Sequence, residues 1–205
     1  MTRAILYASS GVAAAILGVG GWLVYEGQSV DRFAECRNTT VALSGSDIGG
    51  PFSLISETGD AVTDADVIDG LTMVYFGYTY CPDVCPLDAG RNAEAADLAQ
   101  AQGVTMSTLF ITIDPERDTP EELANFTDYL HDDMIGLTGT PEALEAARKS
   151  YHVYAAKNGE GEDYLMDHSN YSYLMHSDHG FLALIRHNET AEQVAQTALC
   201  MSERI

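Results

Sequence analysis

The sequence predicts an α/β domain that follows a single N-terminal transmembrane helix, and three observations lead to this fold class. Strand-like and helical runs alternate along most of the chain, as in a sheet covered by helices. An uncharged run of membrane-spanning length stands near the N-terminus. The chain has 205 residues, which leaves room for about one domain beyond such a segment.

The order of the predicted elements narrows the fold further. Apolar, β-branched runs predict strands, and these are 71–76, 104–113, 171–175 and 181–185. Alanine-rich or Thr-capped segments predict helices, and these are 86–102, 119–130, 140–152 and one from 190 onward. The last two strands are expected to form a hairpin, because turn residues separate them. Strand–helix–strand followed by a hairpin and a terminal helix is the order of a thioredoxin-like fold.

Residues 4–25 predict a transmembrane anchor. They carry no charge, and as a helix they would span about 33 Å, which is enough for the hydrocarbon core. Trp22 and Tyr25 stand where aromatic rings favour the interface, and Arg3 precedes the run, so the positive-inside rule predicts a cytoplasmic N-terminus. A cleaved signal peptide is the alternative, although the run is long for one.

The anchor divides the chain into four predicted parts. They are a short cytoplasmic end at 1–3, the anchor at 4–25, a polar tether at 26–47 and a thioredoxin-like domain at 48–205. The expected location is the inner membrane, with a single pass and with the soluble domain in the periplasm.

The net charge of −21 limits the partners. It argues against nucleic acid, because the chain has little with which to neutralise phosphates. It is compatible with a basic protein partner or a cationic cargo, and equally with nothing more than a soluble acidic surface.

The candidate chemistry centres on the segment F-G-Y-T-Y-C-P-D-V-C-P, in which Cys81 and Cys85 follow a buried strand and precede a helix. A helix N-terminus favours thiolates, and two thiolates can form a disulfide or bind a soft metal such as copper(I) or zinc. A structural disulfide is the simpler alternative. Structural zinc requires four ligands, whereas only Cys200 lies further downstream, and composition cannot choose among six histidines.

Three motifs in order resemble the Sco/SenC family of copper proteins, which serve cytochrome c oxidase assembly. They are the cysteine segment, D-P-E-R-D-T-P from Asp114 and D-H-S from Asp167, and the resemblance covers about residues 48–199. It implies a copper site, for Cu(I) or Cu(II), formed by Cys81, Cys85 and His168. Asp83 and Asp167 are candidates for a weak metal ligand or a partner of the imidazole.

Other polar residues receive structural interpretations. Asp114, Arg117 and Asp118 are expected to brace a loop by hydrogen bonds and charge pairing. Cys36 and Cys200 exceed the two cysteines that such a domain needs, and in an exported protein they are expected to form a structural disulfide. The alternative is that both are free thiols, available for bonds between chains.

Three functional hypotheses follow. The first is a copper chaperone that delivers the metal to the binuclear copper site of oxidase subunit II, or to another periplasmic copper protein, without enzymatic turnover. The second is a thiol–disulfide oxidoreductase that uses a redox disulfide between Cys81 and Cys85 to keep the subunit II cysteines reduced. The third is a redox or copper sensor. His168 favours the first hypothesis over the second, because disulfide exchange needs no third ligand.

The first testable prediction concerns the anchor. We expect residues 4–25 to remain attached in the mature protein, because the run is long enough to span and is preceded by Arg3. N-terminal sequencing of protein extracted from membranes tests this. A mature chain that starts after residue 20 would show instead that the segment is a cleaved signal peptide.

Overall fold

The computed structural model describes residues 31–37 and 48–205. The described residues from Phe33 to Ile205 belong to one compact unit. The predicted anchor and the 1–3 end lie outside the described residues, as does most of the predicted tether. Within the described ranges, no helix combines the length and apolar character that a membrane crossing requires.

The fold is an α/β sandwich of the predicted thioredoxin-like order. The strands are β1 (Ser53–Ser56), β2 (Ala61–Thr63), β3 (Leu71–Gly77), β4 (Ser107–Thr112), β5 (Met134–Thr138), β6 (Ala155–Asn158), β7 (Leu165–His168), β8 (Ser172–His176) and β9 (Gly180–Ile185). The helices are α1 (Asp64–Val67), α2 (Val84–Gln100), α3 (Pro120–Leu130), α4 (Pro141–Ser150) and α5 (Ala191–Ser202), and a 3-10 turn spans Ala34–Cys36.

Seven strands form the main sheet in the order β2-β1-β5-β4-β3-β8-β9, while β6 and β7 form a separate antiparallel ribbon. β3 pairs in parallel with β4 and antiparallel with β8. All seven residues of β3 are buried, as its apolar sequence predicts for a central strand covered on both faces. Because β3 is paired on both sides, the position of its C-terminal end, where the cysteine segment begins, is well defined.

The helices start where side-chain caps satisfy the first backbone N–H groups. The hydroxyl of Thr119 accepts a hydrogen bond from the Glu122 N–H, and that of Thr140 accepts one from the Ala143 N–H. At α5, Thr190 and Gln193 form a reciprocal capping box. In each cap, a side-chain oxygen accepts a hydrogen bond from a backbone N–H group of the first turn, which has no partner within the helix.

A disulfide links Cys36 to Cys200 and so joins the 3-10 turn to α5, with 5.5 Å between the two Cα atoms. Cys36 is buried in a small apolar cluster with Leu71, Met73 and Met201. Arg37 donates a hydrogen bond to the Leu182 carbonyl at 2.6 Å. Residues 33–37 therefore pack on the domain, although they fall within the segment that was predicted to be a tether.

We expect this disulfide to stabilise the domain substantially. The bond closes a loop with a sequence separation of 164, for which chain-entropy models give up to about 5 kcal/mol. Urea denaturation of detergent-solubilised protein should show a lower free energy of unfolding for the Cys36→Ala/Cys200→Ala variant than for wild type. A non-reducing digest should contain the linked peptides. Equal denaturation midpoints would show that the bond contributes nothing.

Candidate metal centre

The two motif cysteines lie at the junction between β3 and α2. Cys81 is in the connecting turn and Cys85 is in the first turn of the helix. The Cys85 N–H donates a hydrogen bond to the Cys81 sulfur at 3.3 Å, and neither cysteine is in a disulfide. A helix N-terminus directed at a sulfur atom favours the thiolate form of that sulfur.

His168 approaches this sulfur pair from the end of β7. Its Nδ1 lies 2.8 Å from the Ser169 carbonyl oxygen. A carbonyl can only accept, so Nδ1 carries the proton and the neutral ring keeps its lone pair on Nε2. That Nε2 lies 3.4 Å from the Cys85 sulfur. Tyr75 and Tyr78 make edge contacts with the imidazole, at ring-centroid distances of 6.4 and 5.9 Å, and these contacts limit its rotation.

The three donor atoms of Cys81, Cys85 and His168 all lie within 4.8 Å of one another. In the part of the chain that the structure describes, this is the one group of three or more such donors. A metal bound at about 2.0–2.3 Å holds trigonal donors roughly 3.5–4 Å apart, so only a small contraction is needed. Two sulfurs and one imidazole nitrogen suit a soft ion such as copper(I).

The two thiols have unequal acidity. The hydrogen bond from the Cys85 thiol lowers the pKa of Cys81 to about 4, with smaller help from the backbone N–H groups of Asp83 and Cys85, while burial opposes the shift. Burial, together with the neighbouring Cys81, raises the pKa of Cys85. The metal-free pair therefore carries one thiolate, on Cys81, and one proton, on Cys85.

The loop that contains Asp118 holds the cysteine segment in place. The Asp118 carboxylate is fully buried, and it accepts hydrogen bonds from the backbone N–H of Thr79 at 3.1 Å and from the Thr79 hydroxyl at 2.6 Å. The Thr112 hydroxyl at the end of β4 donates to the same carboxylate. Thr79 precedes Cys81 by two residues, so this buried network fixes the start of the cysteine turn.

Arg117, in the same loop, positions the segment that leads into β7 and so to His168. Its guanidinium donates to the carbonyls of Glu162 and Tyr164 at 3.2 and 3.0 Å, and to Asp114 Oδ2 at 2.6 Å. It also stacks on the Tyr164 ring, 3.6 Å from the centroid. Tyr164 directly precedes β7, which ends in His168. The D-P-E-R-D-T-P segment thus has the bracing role expected from the sequence, and it joins both halves of the metal centre.

Asp83 and Asp167 both line a shallow cavity of about 590 Å³ at the metal centre. The Asp167 carboxylate accepts hydrogen bonds from the Asn158 amide at 3.1 and 3.2 Å. The partner of the imidazole Nδ1 is the Ser169 carbonyl, not either aspartate. A role for these aspartates as weak metal ligands stays a prediction.

Two further donor side chains line the same cavity, and sequence reasoning missed both: Met166 and His187. Met166 looks like a core residue in an apolar run, although two-residue periodicity along β7 places it on the same face as His168. His187 lies about a hundred residues from the cysteines in the chain, and no local pattern distinguishes it.

The fold and this site together define a class, namely thioredoxin-like proteins with a two-cysteine, one-histidine metal centre. The sequence model of the SCO1/SenC family matches residues 41–202, and the chain belongs to that family. It is 44% identical to protein SenC of Rhodobacter capsulatus over 199 residues, which cover 97% of this chain and 90% of that protein.

Two further comparisons match about three quarters of this chain. A mitochondrial SCO1 homologue of Arabidopsis thaliana is 40% identical over 149 residues, which are 72% of this chain and 45% of that protein, so the match spans about half of the plant protein. The structure of Arabidopsis thaliana ScoI with copper bound is 37% identical, with a TM-score of 0.73, and the alignment covers 76% of this chain and 99% of that chain.

The unequal acidity of the two thiols leads to a prediction. A depressed pKa means that the Cys81 thiolate persists as the pH falls until it approaches about 4. Alkylation of reduced, metal-free protein at Cys81 should therefore be nearly independent of pH between about pH 6 and pH 8. In Cys85→Ala the main stabilising hydrogen bond is lost, so the midpoint of the alkylation profile should move upward. Mass spectrometry of each cysteine peptide measures both profiles.

Two features of the same experiment serve as controls. Cys85 should react far more slowly than Cys81, because it is fully buried and protonated. The disulfide-linked Cys36 and Cys200 should remain unmodified. An alkylation midpoint near the ordinary thiol value of about 8.5 in wild type would contradict the assigned thiolate.

Proposed function

We propose that the protein is a copper chaperone that assists assembly of the binuclear copper site of cytochrome c oxidase. The observation that carries this proposal is the convergence of two sulfurs and one lone-pair nitrogen within 4.8 Å. Support also comes from a relative that binds copper, the Arabidopsis thaliana ScoI described above. The resemblance to the Sco/SenC family supplies the oxidase as the destination of the metal.

The donor set suits a cargo that must be held and then released. Two thiolates and one imidazole form a trigonal site for copper(I), and an additional weak oxygen ligand from Asp83 or Asp167 would complete a site for copper(II). Both carboxylates line the open cavity, so a ligand from a partner protein can approach the metal from the same side. Transfer then proceeds by exchange of ligands and needs no enzymatic turnover by this chain.

The surface around the cavity is suited to a protein partner. Leu87 lines the cavity and is 61% exposed, while Tyr80 (53% exposed) and Leu165 (47% exposed) line a second cavity. Exposed large apolar side chains are available for contact with a protein partner. The net charge of −21 favours a partner with a basic surface. Oxidase subunit II, or another periplasmic copper protein, is the proposed partner.

The proposed location follows from the sequence. Residues 4–25 would anchor the chain in the inner membrane and place the copper domain in the periplasm, where copper acceptors of the oxidase are exposed. The disulfide between Cys36 and Cys200 is compatible with this placement, because such bonds persist in oxidising compartments.

A thiol–disulfide oxidoreductase is the second candidate, and the acidity of Cys81 favours it. A thiol whose pKa is lowered to about 4 is ionised at neutral pH, so it can attack a partner's disulfide or act as a good leaving group. Cys85 is the adjacent thiol that would resolve the mixed disulfide. The activity would keep the cysteines of oxidase subunit II reduced.

His168→Ala separates these two functions. The variant keeps both thiols, so we expect a reversible Cys81–Cys85 disulfide. Copper(II) should bind poorly, and the sulfur-to-copper charge-transfer absorption should disappear, because the nitrogen ligand is lost. Copper(I) should be retained in part, since two thiolates can hold it in linear geometry. In cells, oxidase activity should fall at limiting copper and recover when copper is added.

His131→Ala is a control for loss of an imidazole elsewhere in the domain, because His131 contacts Asp97 and does not line the cavity. It should behave as wild type in every assay. Full oxidase assembly by His168→Ala at limiting copper, together with failure of Cys81→Ala, would overturn the chaperone proposal in favour of the oxidoreductase.

A further inference from the structure

His187 shares the wall of the metal cavity with Cys81 and His168. It lies in the loop between β9 and α5, and its side chain is 50% exposed. The imidazole therefore stands at the open side of the cavity, outside the group of three donors that lie within 4.8 Å of one another.

A buried carboxylate orients the ring of His187. Its Nδ1 lies 3.3 Å from Oδ1 of Asp88, whose side chain is only 2% exposed. The same oxygen lies 3.2 Å from the Arg91 guanidinium, which can only donate, so this oxygen is an acceptor and the His187 Nδ1 is the donor. In the neutral ring Nε2 then keeps the lone pair. A carboxylate on the distal nitrogen is the arrangement that orients metal-binding histidines and makes them more basic.

The backbone at His187 is fixed as well. Arg91 donates hydrogen bonds to the carbonyls of Arg186 at 2.9 Å and of His187 at 3.3 Å. It also donates to the hydroxyl of Ser172 on β8 at 3.1 Å. Arg91 belongs to α2, the helix that carries Cys85, so the position of His187 relative to the cysteines is set by one rigid element.

A purely structural role does not explain this arrangement. Arg91 already pairs with Oδ1 of Asp88, and a histidine recruited only to satisfy a buried carboxylate gains most when it is itself buried. His187 instead remains half exposed toward the cavity, and within the described residues its Nε2 makes no hydrogen bond. An oriented lone pair beside a copper site is suited to binding the metal.

We propose that His187 is a transient copper ligand at the mouth of the cavity. The proposal rests on the copper chaperone function and adds a step to it. Copper(I) binds first to Nε2 of His187 and then passes to the Cys81 thiolate, so that one copper–nitrogen bond is exchanged for one copper–sulfur bond with no change in oxidation state. When Cys85 joins, its thiol proton passes to water. Release to an acceptor follows the same steps in reverse.

The test measures the rate of copper loading. Reduced, metal-free full-length protein in detergent is mixed under anaerobic conditions with copper(I) bicinchoninate, and loss of the coloured complex gives the transfer rate. We expect His187→Ala to load about tenfold more slowly than wild type, while the copper(I) affinity at equilibrium changes by less than about twofold, because the final donors are intact. His131→Ala, with its comparable aspartate contact outside the cavity, should load at the wild-type rate.

His187→Asn distinguishes a ligand from a positioning residue. The asparagine amide nitrogen takes the place of Nδ1 and can still donate a hydrogen bond to Asp88, but it provides no imidazole lone pair. Loading as slow as in His187→Ala supports a ligand role, whereas recovery of the wild-type rate would assign His187 a positioning role and overturn the proposal. Wild-type rates in both variants would also overturn it. If wild-type protein itself took no copper from the chelator, the chaperone proposal would fail instead, so the two failures differ.

Discussion

The metal centre depends on one buried carboxylate. The Asp118 side chain is fully buried, and burial raises its pKa. The hydrogen bonds that it accepts from Thr79 and Thr112 oppose this shift, because they favour the ionised carboxylate. Removing the carboxylate would leave these donors unsatisfied, at a cost of about 1–3 kcal/mol for each buried group. The cysteine turn would then lose its fixed starting point. Asp118 connects that turn to β4 and, through its neighbour Arg117, to the ribbon that carries His168.

This arrangement explains how donors from distant parts of the chain meet with little reorganisation. Cys81 and Cys85 are local partners, whereas His168 comes from a separate two-stranded ribbon that is not paired with any strand of the main sheet. Arg117 links the two by pairing with Asp114 and by holding the carbonyls that precede β7. A ligand set that is held before the metal arrives binds more tightly, because less conformational entropy is lost on binding.

The sequence predicted the strands with continuous apolar runs and missed the others. The apolar run at 71–76 differs from β3 by one residue, because a strand buried on both faces has an unambiguous composition. β1 and β2 were missed because they are short and mix polar with apolar residues, and β5 was missed because it has only five residues with Gly136 at its centre. The ribbon of β6 and β7 was missed because it is only partly buried and forms no part of the main sheet.

The residues of the candidate site could likewise be predicted only in part. Spacing before a helix identified Cys81 and Cys85, but among six histidines only the family resemblance selected His168, because its approach depends on tertiary contacts. His187 could not be predicted from the sequence at all. Its place beside the cysteines results from Arg91 and Asp88, which hold a loop about a hundred residues away along the chain, and no local sequence pattern encodes that contact.

The protein also keeps two cysteine pairs in different states, and their surroundings explain the difference. Cys36 and Cys200 are linked in an apolar cluster beside Leu71, at the opposite end of β3 from the cysteine turn. Cys81 and Cys85 remain free. The hydrogen bonds that lower the pKa of Cys81 stabilise its thiolate, and a stabilised thiolate makes the corresponding disulfide easier to reduce. In the oxidising compartment proposed for the domain, the same interactions that prepare Cys81 for copper therefore oppose closure of the pair.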